Sequence, residues 1–348
     1  MKRVSLPGRL AAVVVGLGLV AAACGGGGSS SKSSGPVTLR LGYFPNLTHA
    51  TALVGVSKGI FAKDLGSKVT LKTTTFTAGP AAVEALFGNQ LDASYVGPNP
   101  AINAFQKSNG QAVRIIAGAT SGGAALVVKP SITSAAELKG KKLATPQLGN
   151  TQDVALRSWL KSQGFNTTPQ GGGDVQLLPQ DNSQTLDTFK SGQIDGAWVP
   201  EPWATRLVLD GKGKVLVDER TLWPQGKFLT TTLIVRTAFL KDHPDVVENL
   251  LKGHVDATNF VNQNPAEAQQ VANTGIAQLT GKALANAVVT EAWGNMTFTW
   301  DPLAATLQKE ASAAEAVGLL TAVNLKGLVD VGPLNKVLSA DGKASVSG

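Results

Sequence analysis

Two stretches of the sequence read nearly alike: "GNQLDASYVGPNPA" at residues 88–101 and "GQIDGAWVPEPWA" at residues 192–204. In each, an aspartate (Asp92 or Asp195) is followed by two residues, an aromatic residue and Val, and then by a proline-rich loop. We interpret the two stretches as the same strand-to-helix turn in two similar α/β lobes. In open parallel sheets, ligands bind outside the carboxyl ends of the strands. The repetition therefore predicts two lobes whose equivalent loops face one crevice.

The segments around this pair alternate between strand-like and helix-like patterns. Strand-like runs such as "VTLRLGYF", "KVTLKTTTF" and "LDASYV" are separated by helical spacings, and the alternation restarts with "KKLATP" and "DVQLLPQ". This order is typical of parallel sheets that are covered on both faces. From Thr237 onward we predict mainly helices, including a surface helix with one apolar stripe over residues 247–261.

The first residues indicate export. A basic start and an uncharged apolar run, too short for an ordinary transmembrane span, lead to "AAAC", which ends at Cys24. We predict a signal peptide over residues 1–23, a lipid on Cys24, and a flexible Gly/Ser linker over residues 24–36. Ala21 stands where bacterial lipoprotein signals usually carry Leu, so a plain signal peptide with an incidental cysteine stays an alternative.

Composition limits the possible functions. The chain has 348 residues, of which 43% are hydrophobic and 16% charged, which suits globular domains with substantial cores. Its net charge of +7 falls to +4 without Lys2, Arg3 and Arg9 of the signal peptide. The remaining basic residues are scattered, which argues against nucleic-acid binding. The single cysteine excludes an internal disulfide. His243 and His254 lie in the predicted surface helix without zinc-like spacing, so we predict no metal and no cofactor.

Five segments of the chain are similar to one family of binding proteins. They are "LRLGYFPNLTHATALVGVSKGIFAKDLG", "FTAGPAAVEALFGNQLDASYVGPNPAINAF", "ATPQLGNTQDVALRSWL", "GQIDGAWVPEPWA" and "LIVRTAFLKDHPDVVENLLKGHVDAT". In this order they resemble substrate-binding proteins of ABC importers, specifically the sulfonate, nitrate and taurine branch, which also contains thiamine-precursor binders. The resemblance covers about residues 37–338.

The resemblance implies an α/β fold of two lobes, the type II periplasmic-binding-protein clamshell, in which the chain crosses between the lobes twice. Lobe 1 would comprise residues 37–124 and 234–348, and lobe 2 would comprise residues 125–233. The crossings would be "GGAALVVK" and "TTTLIVR". Two crossing segments form a hinge, so the implied motion is closure of the lobes on a ligand.

Five loops should reach the crevice, and four of them carry Thr or Asn, or a Gly-Pro pair, at a helix start. Such starts offer unpaired backbone N–H groups and positive dipole ends, which bind anions without Lys or Arg. The fifth loop offers an indole and a carboxylate, which suit an amine. The candidate ligand-binding residues are Asn46, Thr48, His49, Thr77, Gly97, Asn99, Gln147, Gly149, Asn150, Thr151, Trp198 and Glu201. The structural alternatives are helix capping for the loop residues, core packing for Trp198, and a favourable position at a helix N-terminus for Glu201.

These observations predict the extracytoplasmic solute-binding component of an ABC importer, and not an enzyme. We expect it to capture a small oxyanion, an aliphatic sulfonate or taurine, and to deliver it to a permease and ATPase complex. Nitrate or a thiamine or pyrimidine precursor is the alternative ligand, and a periplasmic-binding-like biosynthetic enzyme or a surface sensor is the alternative of another class. We expect an exported monomer, on the outer face of the cytoplasmic membrane or in the periplasm, that touches the membrane through its lipid anchor only.

Overall fold

The computed structural model describes residues 36–348, so the predicted signal peptide, Cys24 and most of the linker lie outside the described residues. The strands are β1 (Val37–Tyr43), β2 (Val69–Thr75), β3 (Ala93–Val96), β4 (Val113–Gly122), β5 (Ala124–Val128), β6 (Lys142–Thr145), β7 (Gln176–Pro179), β8 (Gly196–Pro200), β9 (Lys214–Asp218), β10 (Leu229–Arg236) and β11 (Met296–Phe298).

The helices alternate with these strands and then take over the carboxyl-terminal part. They are α1 (Ala50–Ser57), α2 (Ile60–Leu65), α3 (Gly79–Phe87), α4 (Pro98–Lys107), α5 (Thr151–Ser162), α6 (Asn182–Lys190), α7 (Trp203–Leu209), α8 (Thr237–Asp242), α9 (Pro244–Gln263), α10 (Pro265–Thr280), α11 (Asn286–Gly294), α12 (Ala304–Ala316) and α13 (Gly332–Ala340). None of the helices within residues 36–348 combines the length and the apolar character needed to cross a bilayer.

The strands form two sheets with the same plan. The six-stranded sheet has the order β11-β4-β10-β3-β1-β2, and the five-stranded sheet has the order β7-β6-β8-β5-β9. In each sheet three neighbouring strands are parallel, and the next strand, β10 or β5, pairs antiparallel on both of its edges. β3 and β8 therefore occupy equivalent positions. They are the strands of the two similar stretches, so the predicted equivalence of the two turns is confirmed by the topology.

The repeated aspartate has the same structural task in both sheets. The backbone N–H of Asp92 donates to the carbonyl of Arg40, and that of Asp195 donates to the carbonyl of Lys142. Each carboxylate in turn accepts from the backbone N–H of the same partner, at 2.9 Å in both cases. The aspartate thus joins β1 to β3 in one sheet and β6 to β8 in the other, at the point where β3 or β8 begins.

The chain passes between the sheets twice, as the resemblance implies. The first passage is Gly122–Gly123, where both residues have positive φ and an added Cβ would meet Asn295 or Met296 at under 3 Å. The second passage is residues 219–228, before β10. The implied boundary at residue 234 lies inside β10, because all of this strand pairs with β4. We define lobe 1 by the six-stranded sheet and lobe 2 by the five-stranded sheet.

Helix α9 covers lobe 1 as its sequence pattern predicts. Its apolar stripe is buried, with Leu250 and Leu251 fully inaccessible to solvent. His254 lies in this helix, as predicted. His254 belongs to the buried face, and its Nδ1 lies 2.8 Å from the hydroxyl of Tyr95 in β3.

Candidate functional site

A cavity lies between the lobes, bordered by the loops that follow the carboxyl ends of β1, β2, β3, β6, β7 and β8. The space open to the centres of water molecules is about 30 Å³, which is room for about two waters. The cavity is therefore small. The lining residues are Phe44, Asn46, Thr48, His49, Thr77, Ala78, Gly79, Gly97, Pro100, Pro146, Asn150, Thr151, Gln152, Asn182, Pro200 and Thr230.

Four helices begin at this cavity: α3 and α4 in lobe 1, and α5 and α6 in lobe 2. Prolines remove some of the donors at the lobe 1 starts, because Pro80, Pro98 and Pro100 have no backbone N–H. The start of α5 keeps its donors. The backbone N–H groups of Thr151 and Gln152 have no partner within residues 36–348. The start of α5 therefore offers two free main-chain donors to the cavity.

The loop before α5 is held in place by a buried ion pair. The Asp153 carboxylate accepts from the hydroxyl of Thr145 at 2.8 Å and from the backbone N–H of Gly149 at 2.9 Å. Arg157, which is also buried, donates to the same carboxylate at 2.9 Å and balances its charge. The side-chain oxygen of Asn150 accepts from the Asp153 backbone N–H. Asn150 thus caps the helix while it also lines the cavity.

Two lining side chains carry buried oxygen atoms that have no hydrogen-bond partner in the described part of the chain. They are Oγ1 of Thr151 and Oδ1 of Asn182, at the starts of α5 and α6. Leaving a buried polar group unsatisfied costs about 1–3 kcal/mol. Both residues line the cavity: the hydroxyl of Thr151 can donate to a guest that accepts, and Oδ1 of Asn182 can accept from a guest that donates.

His49 is a neutral donor in the cavity wall. Complete burial lowers the pKa of His49 to about 3. Its Nδ1 accepts from the backbone N–H of Phe44 at 3.3 Å, and the two rings are stacked. Since a neutral imidazole carries one proton, that proton lies on Nε2. His49 can therefore donate a hydrogen bond, but it brings no positive charge.

The fifth predicted loop joins the lobes and does not line the cavity with its aromatic ring. Trp198 is fully buried in the core of lobe 2, where its Nε1 donates to Glu219 at 2.7 Å. Glu201 accepts from Thr205 of its own helix and from Asn295 of lobe 1 at 2.8 Å. Burial raises the pKa of Glu201. These contacts assign both residues to packing and lobe contact.

The lobes also meet directly beside the cavity. Trp203 of lobe 2 donates through Nε1 to the side-chain oxygen of Asn46 in lobe 1 at 2.9 Å. The backbone N–H of Thr48 donates to the carbonyl of Glu201 at 3.4 Å. The structure is thus a closed arrangement of the clamshell.

The cavity brings together seven of the predicted site residues, and five lie elsewhere. Those in the lining are Asn46, Thr48, His49, Thr77, Gly97, Asn150 and Thr151. Those outside it are Asn99, Gln147, Gly149, Trp198 and Glu201. Asn99 is turned towards α12, where its amide donates to the carbonyl of Glu310. Gly149 contributes its N–H to Asp153, and Gln147 lies one residue beyond the lining residue Pro146.

Sequence reasoning missed several lining residues. Asn182 follows β7 at a helix start, so the same helix-start signal could have found it. Thr230 enters the lining from β10, which the sequence analysis treated as a crossing segment. Phe44 directly follows β1 and looked like part of that strand. No residue pattern before the fold was known indicated the last two.

Comparisons with known proteins agree with this architecture. The chain matches the NMT1-like family over residues 32–277. The taurine-binding periplasmic protein of Escherichia coli (strain K12) is 29% identical over 214 residues, which are 62% of this chain and 64% of that protein. The solved structure of the alkanesulfonate-binding protein SsuA from Xanthomonas axonopodis pv. citri, bound to MOPS, has a TM-score of 0.70 and 21% identity, over 85% of this chain and 99% of that one. The periplasmic nitrate-binding protein NrtA from Synechocystis PCC 6803 has a TM-score of 0.71 and 17% identity, over 87% of this chain and 89% of that one.

The two solved structures share the fold described above, so the predicted two-lobed α/β clamshell is confirmed. The resemblance of the five sequence segments to the sulfonate, nitrate and taurine branch is confirmed as well. The family match extends over both lobes and over more than half of the chain. The chain therefore belongs to the NMT1-like family.

Proposed function

We propose that this protein is the solute-binding component of an ABC importer, and not an enzyme. It captures a small oxyanion between its lobes, and the ligand class we favour is aliphatic sulfonates, including taurine. A signal peptide exports it, a lipid on Cys24 tethers it outside the cytoplasmic membrane, and it passes its ligand to a permease and ATPase complex. The binding roles of the relatives described above support this proposal.

The chemistry of the cavity wall carries the proposal. Among the residues described by the structure, no Asp, Glu, Lys or Arg lines the cavity. Its donors are neutral: the starts of four helices, hydroxyl groups such as that of Thr151, and the imidazole of His49. Helix starts attract negative charge through their free N–H groups and their dipoles. A small anion is therefore the guest that this wall can hold without a fixed cation.

The size of the closed cavity supports a small guest and an opening motion. About 30 Å³ of space for water centres leaves room only for a small guest, and the contacts Trp203–Asn46 and Thr48–Glu201 join the lobes beside it. Two passages connect the lobes, and Gly122 and Gly123 in the first of them adopt positive φ. Rotation about such passages is the hinge motion of two-lobed binding proteins. We infer that the lobes open to admit the ligand and close on it.

Calorimetric titration of the purified protein tests the proposal. The panel contains methanesulfonate, taurine, nitrate, bicarbonate and a neutral pyrimidine precursor of thiamine, with dimethyl sulfone as a neutral match for methanesulfonate. We expect heat with a sulfonate and none with dimethyl sulfone. Binding of nitrate or bicarbonate alone would keep the oxyanion site and change the ligand class. Binding of the pyrimidine without any oxyanion would overturn the assignment.

A further inference from the structure

A second and larger cavity lies on the contact between the lobes, away from the cleft. It has a volume of about 250 Å³ and is bordered by α5 and residues 219–223 of lobe 2 and by α12 of lobe 1. Trp159, Leu222 and Trp223 provide much of its apolar wall. We call it the seam cavity. Because its walls come from both lobes, it exists in full only in the closed arrangement.

Two buried carboxyl groups line the seam cavity, one from each lobe. Glu219 of lobe 2 is 1% exposed, and Glu310 of lobe 1 is 3% exposed. Glu219 accepts a hydrogen bond from Nε1 of Trp198. Oε1 of Glu310 is buried and has no hydrogen-bond partner within residues 36–348. Glu310 therefore brings to the cavity wall a buried carboxyl group with one unpaired oxygen.

The positive charge nearest to these carboxyls is already engaged. Lys309, the one Lys or Arg in the described lining, donates to the carbonyl of Leu222 at 2.7 Å. Its ammonium group also lies 4.2 Å from the ring centroid of Trp223. Asp218, next to Glu219, is itself paired with Arg220 at 2.6 Å. Burial raises the pKa of Glu219 to about 7 and, together with the nearby Glu219 carboxyl, raises the pKa of Glu310 well above its usual range.

We propose that the seam cavity is a second binding site, for a small organic cation with a flat apolar body, of the class of primary arylalkylamines. The ammonium group donates to Glu310 and supplies the missing countercharge, and the ring lies among Trp159 and the other apolar side chains. An ammonium beside aromatic rings gains further attraction when it is desolvated. The proton that Glu310 holds in the empty cavity passes to solvent when the cation binds.

This site is coupled to the cleft through the closure of the lobes. The cation contacts α12 of lobe 1 together with α5 of lobe 2, and α5 also carries Thr151 of the cleft. A ligand that prefers the closed arrangement shifts the population towards it. We infer that an occupied seam cavity raises affinity for the cleft ligand. The seam site itself does not depend on the identity of that ligand.

The test is calorimetric titration of the purified protein with phenethylammonium, without any cleft ligand. The neutral control ligand is 2-phenylethanol, which has a similar shape and no charge. We expect the amine to bind at least tenfold more tightly than the alcohol. Because the cation competes with a proton, its affinity should rise from pH 6 to pH 8, with proton release measured in buffers of different ionisation enthalpy. Equal affinity for amine and alcohol, or no binding of either, would overturn the proposal.

Two variants locate the site. Glu310→Gln should abolish the preference for the amine, while Glu84→Gln, an exposed carboxyl on α3 with the same change of charge, should keep it. If Glu310→Gln folds poorly, Ala313→Leu is the second variant. It fills the same cavity while both glutamates are kept, and it should exclude both probes. Unchanged binding of phenethylammonium in a folded Glu310→Gln or Ala313→Leu protein would contradict the assignment. All of these results are independent of whether the cleft binds an oxyanion.

Discussion

Replacing Gly97 by alanine should impair closure of the cleft without damaging either lobe. Gly97 lies in lobe 1 with φ −68° and ψ 158°, a conformation that alanine adopts readily. An added Cβ would lie 2.3 Å from Oγ1 of Thr151 in lobe 2. Atoms in favourable contact are about 3.5 Å apart, so the lobes must separate by about 1 Å at this point.

The geometry gives the size of the effect. A shift of about 1 Å stretches a bond such as Trp203–Asn46, now 2.9 Å, beyond hydrogen-bonding range. Loss of one such bond and of one bond between the bound anion and the opposite lobe costs about 2–4 kcal/mol. The dissociation constant of the cleft ligand should therefore rise about 30- to 1000-fold. The melting temperature of the ligand-free protein should change little.

A double-mutant cycle with Thr151→Ala makes this prediction specific. Thr151→Ala removes the Oγ1 atom and leaves a Cβ at 3.3 Å from the one added at position 97. Calorimetry should show a large cost of Gly97→Ala in the wild-type background and a small cost in the Thr151→Ala background. An equal cost in both backgrounds would refute the reasoning, because the two residues would then not meet during binding.

Three further predictions concern stability. Trp198→Phe removes the bond to buried Glu219 and should lower the free energy of unfolding by about 1–3 kcal/mol; a loss of ligand affinity without loss of stability would contradict its place in the core. Asp92→Asn breaks the ion pairs of a carboxylate that is 1% exposed and should lower the free energy of unfolding by about 3 kcal/mol. Asp195→Asn changes a carboxylate that is 21% exposed and should lower it by about 1 kcal/mol. Equal losses of stability in urea unfolding would contradict this difference. Folding raises the pKa of Glu219 from 4.5 to about 7, so the folded state retains the proton to higher pH than the unfolded state. The free energy of unfolding therefore falls as pH rises through this window. The stability advantage of Glu219→Gln over wild type should grow by about 2–3 kcal/mol between about pH 5 and pH 8, and a constant difference would disprove it.

Repetition and periodicity predicted much of the fold. The shared position of Asp92 and Asp195 indicated two equivalent strands, because the same residue joins neighbouring strands in each lobe. The apolar spacing in α9 predicted its buried face. His254 lies four residues from Leu250 and from Thr258, so the same spacing could have placed it on that face, but the predicted stripe did not include it.

The sequence predicted the site residues that lie at helix starts. It did not predict the residues that only the strand topology brings to the cavity. Asn150 and Thr151 follow β6 at a helix start, a signal that is local in sequence. Thr230 reaches the cavity from β10. The sequence of β10 does not reveal whether the strand crosses between the sheets or pairs within one of them, as it does with β4. Trp198 looked like a binding residue because it ends a strand near the crevice. Side-chain alternation along β8 turns it into the core instead.

The central claim is that main-chain donors at helix starts of both lobes hold an oxyanion without a cationic side chain. A crystal structure of the protein with a bound sulfonate tests it most directly. We expect the sulfonate oxygens in the cavity between the lobes, within about 3 Å of the backbone N–H groups of Thr151 and Gln152, with contacts from lobe 1 as well. A sulfonate bound to Lys or Arg side chains, or bound outside this cavity, would contradict the account.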